Sequence, residues 1–227
     1  SSAASDVYKR QIYVGMGGGR IEIFDSKGAP KKTVLLDEVL PKEANPHKVS
    51  GILCAKDNWY IADDGVQKIY VMEYDSNKFL SAMGGDGTDP GQFKTPKKMY
   101  YDEAKKSLLV ADMFNFRVQI LKEGAEPVVW GTYGNSVGTF SRLIDVGLDD
   151  KGDVLTLDFG NSTVQVFGWD TTFKYVLGTQ DGTEQIPVGG PGAFALRGKI
   201  VYFAENLAGR ISAYELLDEI GPPVKKK

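Results

Sequence analysis

The sequence is poor in the residues that build compact catalytic and metal centres. It has one cysteine, Cys54, and one histidine, His47, in 227 residues. A lone thiol excludes an internal disulfide framework and a multi-thiolate zinc site. A lone imidazole excludes an internal site that needs two or more. Basic residues are not in excess: 27 Lys and Arg stand against 30 Asp and Glu, a formal charge of −3. A nucleic-acid binder needs a basic face, so no nucleic-acid partner is expected. No apolar run approaches the roughly 18–20 residues of a membrane-spanning helix. Helical periodicity is scarce as well; its nearest candidate, residues 35–44, is interrupted by Pro41. Phosphate loops, dinucleotide fingerprints and nucleophile elbows are missing. Gly17-Gly18-Gly19 lies between two strand-like runs and reads as a hairpin turn. What remains is 42% hydrophobic and 25% charged, enough to bury a core.

The two ends differ from the rest. Residues 1–11 are polar and lack an apolar period. Asp6-Val7-Tyr8-Lys9-Arg10-Gln11 resembles the translation of a transposase adapter from sequencing libraries; the alternative is an ordinary frayed terminus. The expectation is a non-native or disordered leader over 1–11, with natural upstream sequence and any export signal lost. Residues 220–227 end in Lys225, Lys226 and Lys227 and read as a solvated basic tail. Setting both ends aside lowers the charge from −3 to −7.

A repeat organises everything between. Short β-rich runs end in an acid at Asp63, Asp112, Asp158 and Glu205, which are 49, 46 and 47 residues apart. Met16 fits the same slot, a further 47 residues before Asp63. A second run follows each, beginning at Arg20, Lys68, Arg117, Thr163 and Arg210. Val118/Ile120 against Gln119, and Val164/Val166 against Gln165, alternate as half-buried strands do. In the second unit four strands are expected near residues 48–55, 59–62, 68–74 and 78–83. Four strands in a unit of 40 to 50 residues is the pattern of a β-propeller blade.

The third unit carries a family resemblance. Gly87-Thr88-Asp89-Pro90-Gly91-Gln92-Phe93, then Pro96, Val110-Ala111-Asp112 and Asn115-Phe116-Arg117-Val118-Gln119 resemble an NHL repeat. That family has a glycine-rich run closing on Phe, a Pro, and V-A-D-x-x-N-x-R-V. The fourth unit matches more loosely, with Thr163 in place of the Arg. The resemblance spans about residues 12–217 and implies an all-β, TolB-like propeller of six blades. The blades here fall at about 12–45, 46–85, 86–134, 135–180 and 181–219, within a propeller over 12–219. The first unit begins at its second strand and the fifth stops after its third. The expectation is therefore an incomplete ring of about five blades out of six; an intact five-bladed protein is the alternative.

Candidate sites follow from blade position. The repeated acids read as acceptors for turn amides and for the Arg beyond, rather than as metal ligands. His47 starts an innermost strand, near the channel mouth of a propeller. Lys48 adjoins it, and Lys97, Lys98 and Arg142 hold comparable places. Such a mouth would attract an anionic ligand or an acidic peptide; the alternative is plain solvated loop charge. Phe114 and Phe116 flank Asn115 in a turn and suit a protein-binding patch. Tyr100, Tyr101, Trp130, Tyr133 and Trp169 fill wedges between blades or lie exposed.

The leading expectation is a non-catalytic scaffold for a protein or peptide, placed by the resemblance in the periplasm or outside the cell, with no cofactor. The rival is a metal-assisted lyase or lactonase-like hydrolase at the channel mouth. It would use His47 and a divalent cation on the propeller axis. Related propellers that are amidating lyases hold zinc through several histidines, which this chain does not have. Streptogramin-lyase-like and gluconolactonase-like propellers use a His or carboxylate/Asn cluster, for which no matching motif is found.

Overall fold

A computed structural model describes residues 2–6, 11–42, 46–55, 57–177 and 190–216. Within them every sheet is an antiparallel meander. The first holds β1 (Ser2–Asp6), β2 (Gln11–Gly15), β3 (Arg20–Asp25) and β4 (Pro30–Leu35). A single helical turn, α1 (Leu36–Val39), follows at the one place where a helical pattern had been visible. The second sheet holds β5 (Val49–Ala55), β6 (Asn58–Asp63), β7 (Lys68–Glu73) and β8 (Phe79–Gly84). The third holds β9 (Pro96–Asp102), β10 (Ser107–Asp112), β11 (Arg117–Leu121) and β12 (Val128–Trp130). The fourth holds β13 (Leu143–Leu148), β14 (Val154–Asp158), β15 (Thr163–Phe167) and β16 (Phe173–Val176). The fifth, with three strands among the described residues, holds β17 (Pro191–Arg197), β18 (Ile200–Glu205) and β19 (Arg210–Glu215). The all-β propeller class read from the repeat is therefore the observed one, one sheet to each repeat.

Two expectations change. The first sheet has its innermost strand: β1 pairs with β2 in the register Ser2↔Gly15 to Asp6↔Gln11. That strand lies inside the segment read as a leader. Its residues carry no apolar alternation, but pairing through backbone N–H and C=O groups needs none. Among the described residues there are five blade sheets, the number expected for this chain; a sixth blade, which the resemblance implied for the family, is not among them. The basic tail and residues 217–219 lie outside the described residues.

The second change concerns burial. Gln119 and Gln165, the polar members of alternating strands, are as buried as their apolar neighbours. The strands are covered on both faces, and each Gln hydrogen-bonds a loop laid over its outer side. Gln119 accepts from Gly91 N at 2.8 Å and donates to Gln92 O at 2.7 Å. Gln165 accepts from Gly138 N at 2.7 Å and donates to Thr139 O at 2.9 Å.

The chain divides into two compact units, Ser1–Val129 and Trp130–Lys227. In the first, Tyr13 of β2 packs on Trp59 of β6, ring centroids 5.3 Å apart, and fills the wedge between the first two sheets. Innermost strands approach closely: a Cβ on Gly51 of β5 would stand 2.2 Å from the Lys97 carbonyl oxygen of β9. Ser50 Oγ donates to Pro96 O across the same gap at 2.5 Å. In the second unit Val166, Leu157, Val201 and Phe203 pack as one core, and Trp130 lies 5.9 Å from Phe167.

Candidate functional site

Each second strand from β6 onward ends in a buried acid, and each acid is saturated with donors. Asp112 accepts from Lys94 N at 2.7 Å, Asn115 Nδ2 at 2.8 Å, and Arg117 Nε and Gln119 Nε2 at 2.9 Å. Burial still raises its pKa above the ordinary carboxylate value, against the lowering by Asn115, Lys94 and Arg117. Arg117 continues to the backbone carbonyls of Thr88, Asp89 and Gln92. The third unit's motif is thus a loop over 87–93 pinned to an Asp–Arg pair.

The other blades vary this pattern. Asp158 accepts from Ser141 N, Arg142 N and Asn161 N. Thr163 stands where Arg117 would, and its buried Oγ1 has no hydrogen-bond partner. Glu205 accepts from Arg210 at 3.2 and 3.3 Å, and from Ser212. Arg20 pairs instead with Glu22 at 3.1 Å, because Met16 holds the acid's slot in the first blade.

In the second blade the partner of the acid is His47. Its side chain is buried, the residue 5% exposed. Nδ1 donates to Asp63 Oδ2 at 2.5 Å, and Nε2 stands 3.6 Å from Oδ1 of the exposed Asp37. Tyr70 meets the imidazole edge-on at 5.8 Å. Gly19 leaves room for it; a Cβ there would come within 2.7 Å of His47 Cβ. Asp63 also accepts from the backbone N–H groups of Lys48 and Gly65.

The basic residues read from sequence divide. Lys48 and Lys97 converge on the buried carboxylate of Asp64. Lys97 Nζ hydrogen-bonds Oδ2 at 3.0 Å, and Lys48 Nζ lies 3.1 Å from Oδ1 as an ion pair without hydrogen-bond geometry. Asp64 was not foreseen; the doubled acid Asp63-Asp64 was the available signal. Lys98 is half-buried on β9. Arg142 belongs to the second unit, where its guanidinium lies over Phe159 at 5.0 Å. Among the described residues, no group of three or more His, Cys, Asp or Glu side chains is arranged to hold a metal ion.

The aromatic turn also divides. Phe114 is 51% exposed on the 3-10 turn Met113–Asn115. Phe116 is half-buried and left-handed at φ 55°. Asn115 is structural: Nδ2 donates to Gly87 O and Asp112 Oδ2. Tyr100 and Tyr101 lie on β9, where burial raises both pKa values. Tyr101 stacks on Tyr60 at 5.6 Å, within a cleft that no sequence motif announced. Among the described residues no helix is long and apolar enough to cross a membrane.

No family model matches the chain, and no sequence among the curated proteins matches it. The NHL likeness therefore remains a resemblance. Solved structures do share the fold. Catalytically inactive virginiamycin B lyase from Staphylococcus aureus with quinupristin aligns at 12% identity and TM-score 0.64, covering 96% of this chain and 70% of that one. A protein of unknown function from Bacteroides caccae aligns at 12% identity and TM-score 0.68, covering 94% and 77%. A streptogramin B lyase aligns at 11% identity and TM-score 0.64, covering 96% and 68%. At these identities the likeness establishes the fold alone: this chain is folded as these β-propellers are.

Proposed function

We propose that the chain is a non-catalytic propeller that holds a protein or peptide partner on the strand ends bearing the buried acids, outside the cytoplasm. The observation that carries this reading is Phe114. A large apolar side chain is half-exposed at the tip of a turn that Asp112, Asn115 and Arg117 hold rigid. A fixed, exposed aromatic loses little entropy on binding and is a frequent hot spot. The test selects binding peptides from a displayed random library, then measures them by calorimetry against Phe114→Ala. Loss of at least about tenfold in affinity with an unchanged melt is expected. A library that returns no binder, or binders indifferent to Phe114→Ala, removes the proposal.

A second reading has one observation in its favour. His47 Nδ1 is oriented by a buried carboxylate, the arrangement that prepares the other ring nitrogen as a base. Two of the similar structures are lyases. Proton transfer at His47 is the step this reading rests on. Quinupristin is the probe: turnover that is lost in His47→Gln would support this reading, and an inert mixture would remove it.

A further inference from the structure

The unit Ser1–Val129 contains a cleft of about 790 Å³ between the sheet β5–β8 and the sheet β9–β12. It runs along the outer strands, from the ends remote from the buried acids, at Asn58 and Leu108, to Met83 near the end of β8 and Gly91 in the loop pinned by Arg117. That volume falls in the range of small-ligand pockets, which are apolar with a few placed polar groups. Val71, Met83, Leu108 and Leu121 supply the apolar lining. Tyr60 and Tyr101 add a flat aromatic wall, stacked at 5.6 Å with planes 21° apart.

The polar groups are mostly donors. The Asn58 side chain hydrogen-bonds the Tyr60 hydroxyl, and burial pushes Tyr60 up to about 12, which keeps its proton in place to donate. Lys106 and Lys122, both exposed, stand on the two turns that border the cleft. Glu123 is the one acid in the lining, and Glu103 bears on Tyr60 and Tyr101 from outside it. Within the lining, then, stand two ammonium groups, two phenols, the Ser81 hydroxyl and an amide against one carboxylate.

We infer that this cleft binds a small aromatic or apolar carboxylate, its ring against the Tyr60/Tyr101 wall and its anion toward Lys106 and Lys122. The site is separate from Phe114 and does not rest on the partner reading above. Three probes of one shape test it: 2-naphthoate, 2-naphthamide and 2-naphthylmethylamine. Naphthoate is expected to bind about tenfold tighter than the amine at low salt, with the gap shrinking as salt rises. Methyl chemical shifts of Val71, Met83, Leu108 and Leu121 should move in the unmodified protein. Lys106→Ala with Lys122→Ala should erase the preference for the anion, Ser81→Trp should block all three probes, and Phe114→Ala should change nothing. Tighter binding of the amine, shifts confined to other residues, or no binding of naphthoate would overturn the inference.

Discussion

Asp112 and Arg117 hold the third blade's loop because neither is tolerable alone. The carboxylate is fully buried and the guanidinium nearly so, and the guanidinium reaches three backbone carbonyls besides its acid. Removing one partner of a buried pair strands the other charge, at about 3–5 kcal/mol. Asp112→Ala should therefore lower the urea unfolding free energy by about that amount. Replacing both residues, with Asp112→Ala and Arg117→Met, should recover part of the loss. A loss below 1 kcal/mol in the single variant would mean that water replaces the carboxylate. The fourth blade shows a cheaper solution: Asp158 takes backbone amides only, and Thr163 asks nothing of it. His47 is a third, one imidazole doing for Asp63 what a guanidinium does for Asp112.

The elements depend on how closely neighbouring sheets approach. Gly51 on β5 sits so near β9 that a Cβ would meet a backbone oxygen at 2.2 Å, and a backbone cannot swing aside as a side chain can. Gly51→Ala should cost about 1–3 kcal/mol. Gly17→Ala, where a Cβ meets nothing within 4 Å, should stay within about 0.5 kcal/mol. Thermal melts of the two variants decide it; equal melts would mean that β9 yields. Such proximity is invisible in sequence, whereas the blade pattern was not. The acid-ended strands and the strands after them were legible because two landmarks keep one period, and β6, β7 and β8 fall within a residue or two of their expected places. β1 was illegible because small polar residues can pair through the backbone without any pattern. At the candidate site, the acids were legible as structural acceptors. The convergence of Lys48 and Lys97 on Asp64, and the Tyr60/Tyr101 cleft, join residues 16 to 41 positions apart. No local pattern records such contacts.

At the scale of the whole molecule, the buried phenols set an alkaline limit. Burial raises Tyr60 to about 12 and raises Tyr100, Tyr101 and Tyr175 above their ordinary value as well. These residues occur in both compact units. Each keeps its proton in the folded chain at a pH where the unfolded chain has lost it. The folded state then binds more protons than the unfolded one, so stability falls as pH rises. The contribution is intact below the ordinary phenol value of 10.0 and is lost as pH climbs toward 12. The Lys174–Asp153 pair acts in the same direction: the hydrogen bond to Asp153 holds the Lys174 ammonium above the ordinary lysine value, and that contribution too is lost as pH rises. The contributions separate by substitution, because Tyr60→Phe removes a titrating phenol and leaves every lysine. Urea midpoints at about pH 9 and about pH 11 should drop steeply in the unmodified protein and less steeply in Tyr60→Phe. Phenolate absorbance should show Tyr60 titrating after Tyr100, Tyr101 and Tyr175. Identical slopes in the two proteins would take Tyr60 out of the alkaline limit and leave it to Tyr100, Tyr101, Tyr175 and the Lys174–Asp153 pair.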